Sequence, residues 1–461
     1  MTSYREFLKS KAILARPAGI KEPQDINGRL FPFQQACEKW ALQRGKSALF
    51  LGTGLGKTAI QADWAAHVEE YTGKPVLILA PLAVSHQTIE ESKKILGLEI
   101  KFAEHGAQVA DRGIYVTNYQ KLDRFHTDVF GGVVWDESSI LKSVDGKTRV
   151  KILEAFAGTP FRLACTATPA PNDYMELGNH AEALGVMKAS EMLATFFVHD
   201  GGETQKWRLK RHAEKGFWQW LASWCICAQK PSDIGFSDEG FILPPLTVHD
   251  IIVDVDAKPL PGELFALPAR TLQERRGARR VSIPERIERM ASIIAQNEPQ
   301  NPWLVWCNLN DEAEGIADLA KMQNVTGSDE DEFKQTMMLK FAKGELPRLC
   351  SKPSIAGMGM NWQNCHNMGF LGLSDSWEQY YQAIRRCWRY GQKHPVNVYS
   401  VISSQEMAVL DNIKRKEADA QRMQAALVEH MSDLTQKQFS ATVRRQEEYK
   451  PKKRLEVPAW L

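Results

Sequence analysis

The chain has 461 residues, 43% hydrophobic and 25% charged, with eight cysteines and a formal net charge of +2. That balance marks a well-packed globular protein with room for two large domains and additions, and it excludes a uniformly basic surface, so any polyanion site has to be a local patch. No stretch approaches the roughly 20 apolar residues of a membrane span, and the N-terminal MTSYREFLKSKAILARPAG lacks the apolar core of a signal peptide. The cysteines are scattered without a C-x-x-C pair, and Cys225 and Cys227 are spaced poorly for structural zinc. They read as reduced, buried thiols of a soluble cytoplasmic protein with no membrane partner, expected to be a monomer.

In chain order, short apolar runs alternate with amphipathic ones from about residue 45 to 168. Residues 47–51, 76–80, 114–117, 133–136 and 162–166 read as buried strands, with helical patterns over 58–70 and 85–96 between them. Residues 180–245 differ: Trp207, Trp218, Trp220 and Trp224 are interleaved with Lys206, Arg208, Lys210, Arg211 and Lys215, and Leu243-Pro244-Pro245 reads as a linker. The basic run Arg275, Arg276, Arg279 and Arg280 precedes a helical pattern over 283–295. A second alternation spans 302–402, with strands expected at 303–307, 348–351, 368–373 and 396–401. The last fifty or so residues start as a helix and end in a polar tail that is basic over 450–454. The expected fold is therefore α/β: two parallel-sheet lobes over 1–245 and 246–405, a helical insertion at about 180–240 in the first, and a helical extension with a basic tail over 406–461.

Three strings carry chemistry. Gly54-Leu55-Gly56-Lys57-Thr58 follows an apolar run and opens a helical pattern, the context in which backbone N–H groups and a helix N-terminus cradle phosphates. Lys57 would reach the β/γ-phosphates and Thr58 would ligate Mg2+. The strict phosphate-loop pattern fails at its first position, where Leu51 replaces glycine. Asp136 and Glu137 close the run 132–135, which puts two carboxylates at the C-terminal end of a buried strand. There Asp136 can hold the metal and Glu137 can orient or deprotonate water. Arg386 and Arg389 lie three apart on one helical face, as arginines brought to a γ-phosphate from another lobe would; a solvated basic helix would show the same spacing.

The order of these strings resembles superfamily-two helicases, most closely the Swi/Snf-type branch, over about residues 28–405. Leu30-Phe31-Pro32-Phe33-Gln34 looks like that branch's glutamine motif, Ala80-Pro81-Leu82 like motif Ia, and Thr117-Asn118-Tyr119 like motif Ib. Thr166-Ala167-Thr168-Pro169 with Asn172 is similar to motif III, Gly357-Met358-Gly359-Met360-Asn361 to motif V, and Gln382, Arg386, Arg389, Gly391 and Gln392 to motif VI. The resemblance implies two RecA-like lobes with an inter-lobe ATP cleft, Gln34 as adenine reader, and Gly359 and Gln382 joining the nucleotide site. Departures are DESS in motif II, where an alanine-histidine or glycine-histidine ending is usual, and Arg385 where motif VI usually has aspartate. Compactness resembles helicases of bacteriophages and prophages, which would place the protein in a bacterial host's cytoplasm.

The implied activity is ATP-dependent movement along duplex DNA without sequence preference, in phage replication or recombination and alongside proteins of those processes. Thr117, Asn118, Ser354, Lys206, Arg208, Lys210 and Arg211 are the candidate nucleic-acid contacts. The tryptophans near those cations read as core. Strand separation, an RNA helicase, and a nucleotide-dependent DNA-binding module that recruits a partner stay open as alternatives.

Overall fold

The computed structural model describes residues 14–142, 146–170, 173–199, 207–254, 279–297, 300–356 and 360–446. Its first lobe contains strands β1 (Lys46–Leu51), β2 (Val76–Ala80), β3 (Ile100–Phe102), β4 (Ile114–Asn118), β5 (Gly132–Asp136), β6 (Phe161–Cys165), the short β7 (Phe197–His199) and β8 (Trp207–Leu209), and β9 (Cys225–Ala228). Seven of these form one parallel sheet in the order β3-β4-β2-β5-β6-β1-β9; β7 and β8 pair as a separate antiparallel ribbon. The second lobe contains β10 (Leu246–Val253), β11 (Trp303–Cys307), β12 (Gln323–Val325), β13 (Arg348–Ser351), β14 (Asn367–Leu371) and β15 (Val396–Ser403), a parallel sheet ordered β10-β15-β14-β11-β13-β12. These are two RecA-like parallel-sheet lobes.

Parallel sheets are covered on both faces, so their strands are apolar at successive positions. In β1, Ala48 and Phe50 enter one core while Leu49 and Leu51 enter the opposite one. In β11, Leu304 and Trp306 likewise alternate with Trp303, Val305 and Cys307. All eight cysteines are buried and free. Among the described residues, no helix is long and apolar enough to cross a membrane.

The region expected as a helical insertion begins with helices Glu176–Leu184 and Ala189–Phe196 but does not end as one. Its last segment returns to the lobe as β9, parallel to β1. The preceding helix, Glu214–Ala222, brings Phe217 and Trp220 into the core, followed by Trp224, all almost inaccessible to solvent. Arg279, from the basic run before the second lobe, also turns inward. It pairs with Glu406 at 2.9 Å beside the fully buried Arg286–Glu312 pair at 2.7 Å. Arg280 is exposed, whereas Arg275 and Arg276 lie outside the described residues, as does the 450–454 tail.

The C-terminal helix runs 40 residues, Met407–Gln446. Its first turns put Val409, Leu410 and Ile413 into the second lobe's core, and Leu427 and Met431 enter the first lobe's core. His430 stacks on Trp218 with ring centroids 4.6 Å apart, and the Gln438 amide donates to the Ala222 carbonyl at 2.9 Å.

In the first lobe, a buried ionic knot ties the helix Pro32–Arg44 to the helix Lys57–Thr72. His67 Nδ1 lies 3.2 Å from Glu38 Oε1 and 2.9 Å from the Asp63 carbonyl, while Nε2 lies 3.0 Å from the Gln24 carbonyl. Both ring nitrogens face acceptors, so both donate, and an imidazolium has no lone pair left for a metal despite the clustered carboxylates. Burial alone would lower the affinity of His67 for its proton. The hydrogen bonds to Glu38 and to the Asp63 backbone outweigh that and hold the imidazole up at about 9. Burial likewise holds the Glu38 carboxyl up, at about 8, against the opposing pull of His67. A raised histidine stabilises the fold fully below its unfolded value near 6.5 and loses that contribution as pH climbs through 9. Glu38, also holding its proton more tightly than in the unfolded chain, adds to the loss up to pH 8, so melting temperature is expected to fall between pH 7 and 9.5. A His67→Gln variant should show a flatter profile in the same thermal-melt series.

Candidate active site

The sheet order sets β5, β6 and β1 side by side, so the segments leaving their C-terminal ends converge. The loop after β1 carries Gly54 and Gly56, at φ 91° and 74°, which is backbone that glycine adopts without strain. A Cβ on Gly54 would lie 2.8 Å from the Tyr390 backbone nitrogen, and one on Gly56 would lie 2.2 Å from Gln34 Nε2. Leu51 needs no such freedom. It is the last residue of β1 and is fully buried, inside the sheet rather than in the loop.

Lys57 opens the following helix, and its ammonium folds back onto the Leu51 and Gly52 carbonyls at 2.8 and 3.2 Å. Gln61, one turn later, donates to Asp136 Oδ1 at 2.8 Å. Asp136 ends β5 and is held above the usual carboxylate range by burial, partly offset by the Gln61 hydrogen bond. Glu137 follows with a left-handed backbone, φ 55°, and its Oε1 accepts the Ser139 and Thr166 hydroxyls, each at 2.9 Å. Gln34 is buried. Its amide nitrogen donates to the Leu55 carbonyl and its oxygen accepts the Phe31 N–H, leaving one N–H and one lone pair for another partner.

The second lobe closes this site from above. A cleft of about 340 Å³ is lined by Gly54, Gly56, Lys57, Thr58, Asp136 and Glu137 from one lobe and by Gln382, Arg386 and Arg389 from the other. Gly359 lies outside the described residues. Burial, followed by repulsion from Arg389, pulls Arg386 down to about 10. Burial also lowers Lys57 and Arg389. One buried and two partly buried cations, each less comfortable in its charged form than in water, make a site that a polyanion would relieve. Asp136, pushed the opposite way, would gain from a cation, and the Thr58 hydroxyl stands in the same cleft. Lys57, Arg386 and Arg389 thus fit a nucleoside triphosphate, and Thr58 with Asp136 fits its Mg2+.

Sequence reasoning missed Phe241, Tyr390 and Glu91 as lining residues of this cleft. Phe241, from the stretch before the second lobe, stacks on Tyr390 at 4.8 Å, and Phe31 meets both rings edge-on. These rings form an apolar wall at the cleft. Tyr390 sits inside motif VI and could have been found there; Phe241 carries no local signal. Glu91 and Asn361, from opposite lobes, share a hydrogen bond of 2.5 Å.

A second inter-lobe cavity, about 940 Å³, adjoins the first and shares Pro81, Glu137 and Gln382 with it. Ser354 lines this cavity, as do Lys121, Ser139, Lys142, Lys334 and Gln379. The other sequence-expected polyanion contacts lie elsewhere. Thr117 and Asn118 are buried, because they end a central strand, and the Asn118 side chain caps the next turn by accepting the Lys121 N–H. Lys210 donates to the Ala194 and Thr195 carbonyls near a helix end, so its charge is committed locally. Arg208 and Arg211 are exposed but outside the cavity lining, and Lys206 falls outside the described residues.

Two family matches overlay these lobes. Residues 30–171 match the family described as "Type III restriction enzyme, res subunit", and residues 285–391 match "Helicase conserved C-terminal domain". Among curated proteins, none matches the chain.

Proposed function

Because the two matched domains indicate a superfamily-two helicase, an ATP-using enzyme acting on nucleic acid, we propose that this chain is a motor of the Swi/Snf type that moves along duplex DNA without sequence preference. The observation that carries the reading is the sharing of one cleft by Lys57, Asp136 and Glu137 of the first lobe and Arg386 and Arg389 of the second. A site split between lobes makes hydrolysis depend on closure, and closure displaces one lobe relative to the other. Bound ATP with Mg2+ supplies the transferable phosphoryl group and its charge neutralisation. Gly54, Gly56 and Lys57 hold the phosphates, Thr58 and Asp136 hold the cation, and Glu137 accepts a proton from the attacking water. Arg386 and Arg389 meet the charge that develops on the departing phosphoryl group. The base rests against Phe31 and Tyr390, with the free amide valences of Gln34 reading its edge.

The larger cavity is our candidate path for the nucleic-acid backbone, with Ser354, Lys121 and Lys142 as contacts. The closing Gly391-Gln392 of motif VI supports the Swi/Snf assignment. In this protein Gln392 is buried and donates to the Cys365 and Cys387 carbonyls at 2.9 and 3.2 Å, bracing the segment that carries both arginines. The variants in motifs II and VI support a phage or prophage setting, in DNA replication or recombination. The test is ATP turnover by the purified chain with duplex DNA, single-stranded DNA or RNA. We expect duplex DNA to stimulate most. Stimulation by RNA alone would transfer the assignment to RNA helicases, and third-strand displacement from a triplex compared with unwinding of a fork separates translocation from strand opening.

A further inference from the structure

The 3₁₀ turn Ser138–Lys142 directly follows the two acids, and its two ends engage different partners. At its start, Glu137 keeps its left-handed backbone, a conformation that persists in a side-chain-bearing residue only where neighbours over-determine it. Those neighbours are the Ser139 and Thr166 hydroxyls, both on Glu137 Oε1. At its end, Lys142 reaches across to Glu378, on the second-lobe helix Trp377–Ile384 that also carries Gln382. Ser139, Lys142 and Glu378 all line the larger cavity, while Glu137 borders both cavities.

We infer that this turn is the element by which a phosphodiester backbone in the larger cavity sets the hydrolysis rate: Lys142 is a phosphate-contacting cation held in reserve by Glu378, and Ser139 is the positioning residue that carries its release to Glu137. The inference rests on the functional reading above. Phosphate oxygens compete well with a carboxylate for an ammonium group. Exchanging Glu378 for phosphate frees the lobe-to-lobe contact and draws the turn toward the groove. The Ser139 hydroxyl then leaves Glu137 Oε1, and the carboxylate, freed of one of its two restraints, turns toward the water beside the nucleotide. Lys121 and Lys334 also line the cavity, but they pair with Glu104 and Asp331 within their own lobes. Exchanging either for phosphate leaves the contact between lobes intact.

The experiment measures ATP turnover of the full chain, with and without saturating duplex DNA, for wild type, Ser139→Ala, Ser139→Thr and Glu378→Gln. Ser139→Ala and Glu378→Gln are each expected to raise the unstimulated rate by about ten- to a hundredfold, as for loss of one hydrogen bond to a charged group. Their rates with DNA should stay near wild type, so the stimulation ratio shrinks by that factor. Ser139→Thr keeps the hydroxyl and should keep the wild-type ratio. A gain in rate cannot come from an unfolded variant. An unstimulated rate at the wild-type level in either Ser139→Ala or Glu378→Gln overturns the relay and leaves the motor assignment standing. Absence of ATP turnover by wild type under every condition overturns the assignment, and the relay with it.

Discussion

Replacing Arg389 by alanine is expected to lower DNA-stimulated ATP turnover by roughly 10³–10⁵-fold, the scale on which an arginine stabilises charge at a departing phosphoryl group. The side chain comes from the second lobe, yet its charge is felt by Lys57 in the first. Burial already lowers its affinity for the proton, so a large electrostatic return is available once phosphate oxygens face it. The phosphate loop, Thr58 and the aromatic wall stay intact in the variant, so fluorescent-nucleotide binding should weaken by no more than about tenfold. Arg389→Lys should recover little, because an ammonium cannot reproduce a guanidinium's two-point geometry. Turnover within about tenfold of wild type in Arg389→Ala would remove Arg389 from the chemistry, and the same result in the Arg386→Ala, Arg389→Ala double variant would end the two-lobe mechanism.

The second large effect is expected at Glu137. Glu137→Gln keeps the shape and an acceptor for the Ser139 and Thr166 hydroxyls but cannot take a proton, so turnover should drop by roughly 10²–10⁴-fold. Nucleotide affinity should hold or rise, since Lys57, Thr58 and Asp136 are untouched. The variant should therefore trap a closed, nucleotide-loaded form on DNA, seen as ATP-dependent retention in a gel or filter assay. Asp136→Asn makes a useful contrast: it removes the metal-holding carboxylate and should weaken Mg2+-dependent nucleotide binding itself. A Glu137→Gln protein that still hydrolyses ATP at the wild-type rate would show that another group activates the water.

The residues that line the inter-lobe cleft were legible because most belong to local strings placed by a regular rule. Lys57 and Asp136 each sit just beyond or at the C-terminal end of a buried strand, and an uninterrupted apolar run followed by polar or glycine residues marks such strands. The short strand Cys225–Ala228 was not legible. Four residues buried on both faces carry no alternation, and they follow an aromatic helix that masks the change of period. Strand Leu246–Val253 was hidden by the prolines before it and by its edge position, where one side of the strand stays exposed. Gln61 could have been inferred, since it lies one helical turn from Lys57 on the same face. Phe241, Glu91 and the Lys142–Glu378 pair could not, because each depends on how distant segments are brought together. Thr117 and Asn118 are buried for a related reason: their strand lies between β3 and β2 and buries its last residues along with its first.

The long C-terminal helix has a mechanical meaning. At about 1.5 Å per residue, its 40 residues make a rod of roughly 60 Å. It is rooted in the second lobe at Val409–Ile413 and seated on the first through Leu427, Met431 and His430. A cleft spanned this way cannot gape freely: widening must flex the rod or unseat its distal half. Part of the work of opening can thus be held as elastic load in one continuous helix and returned when the lobes close.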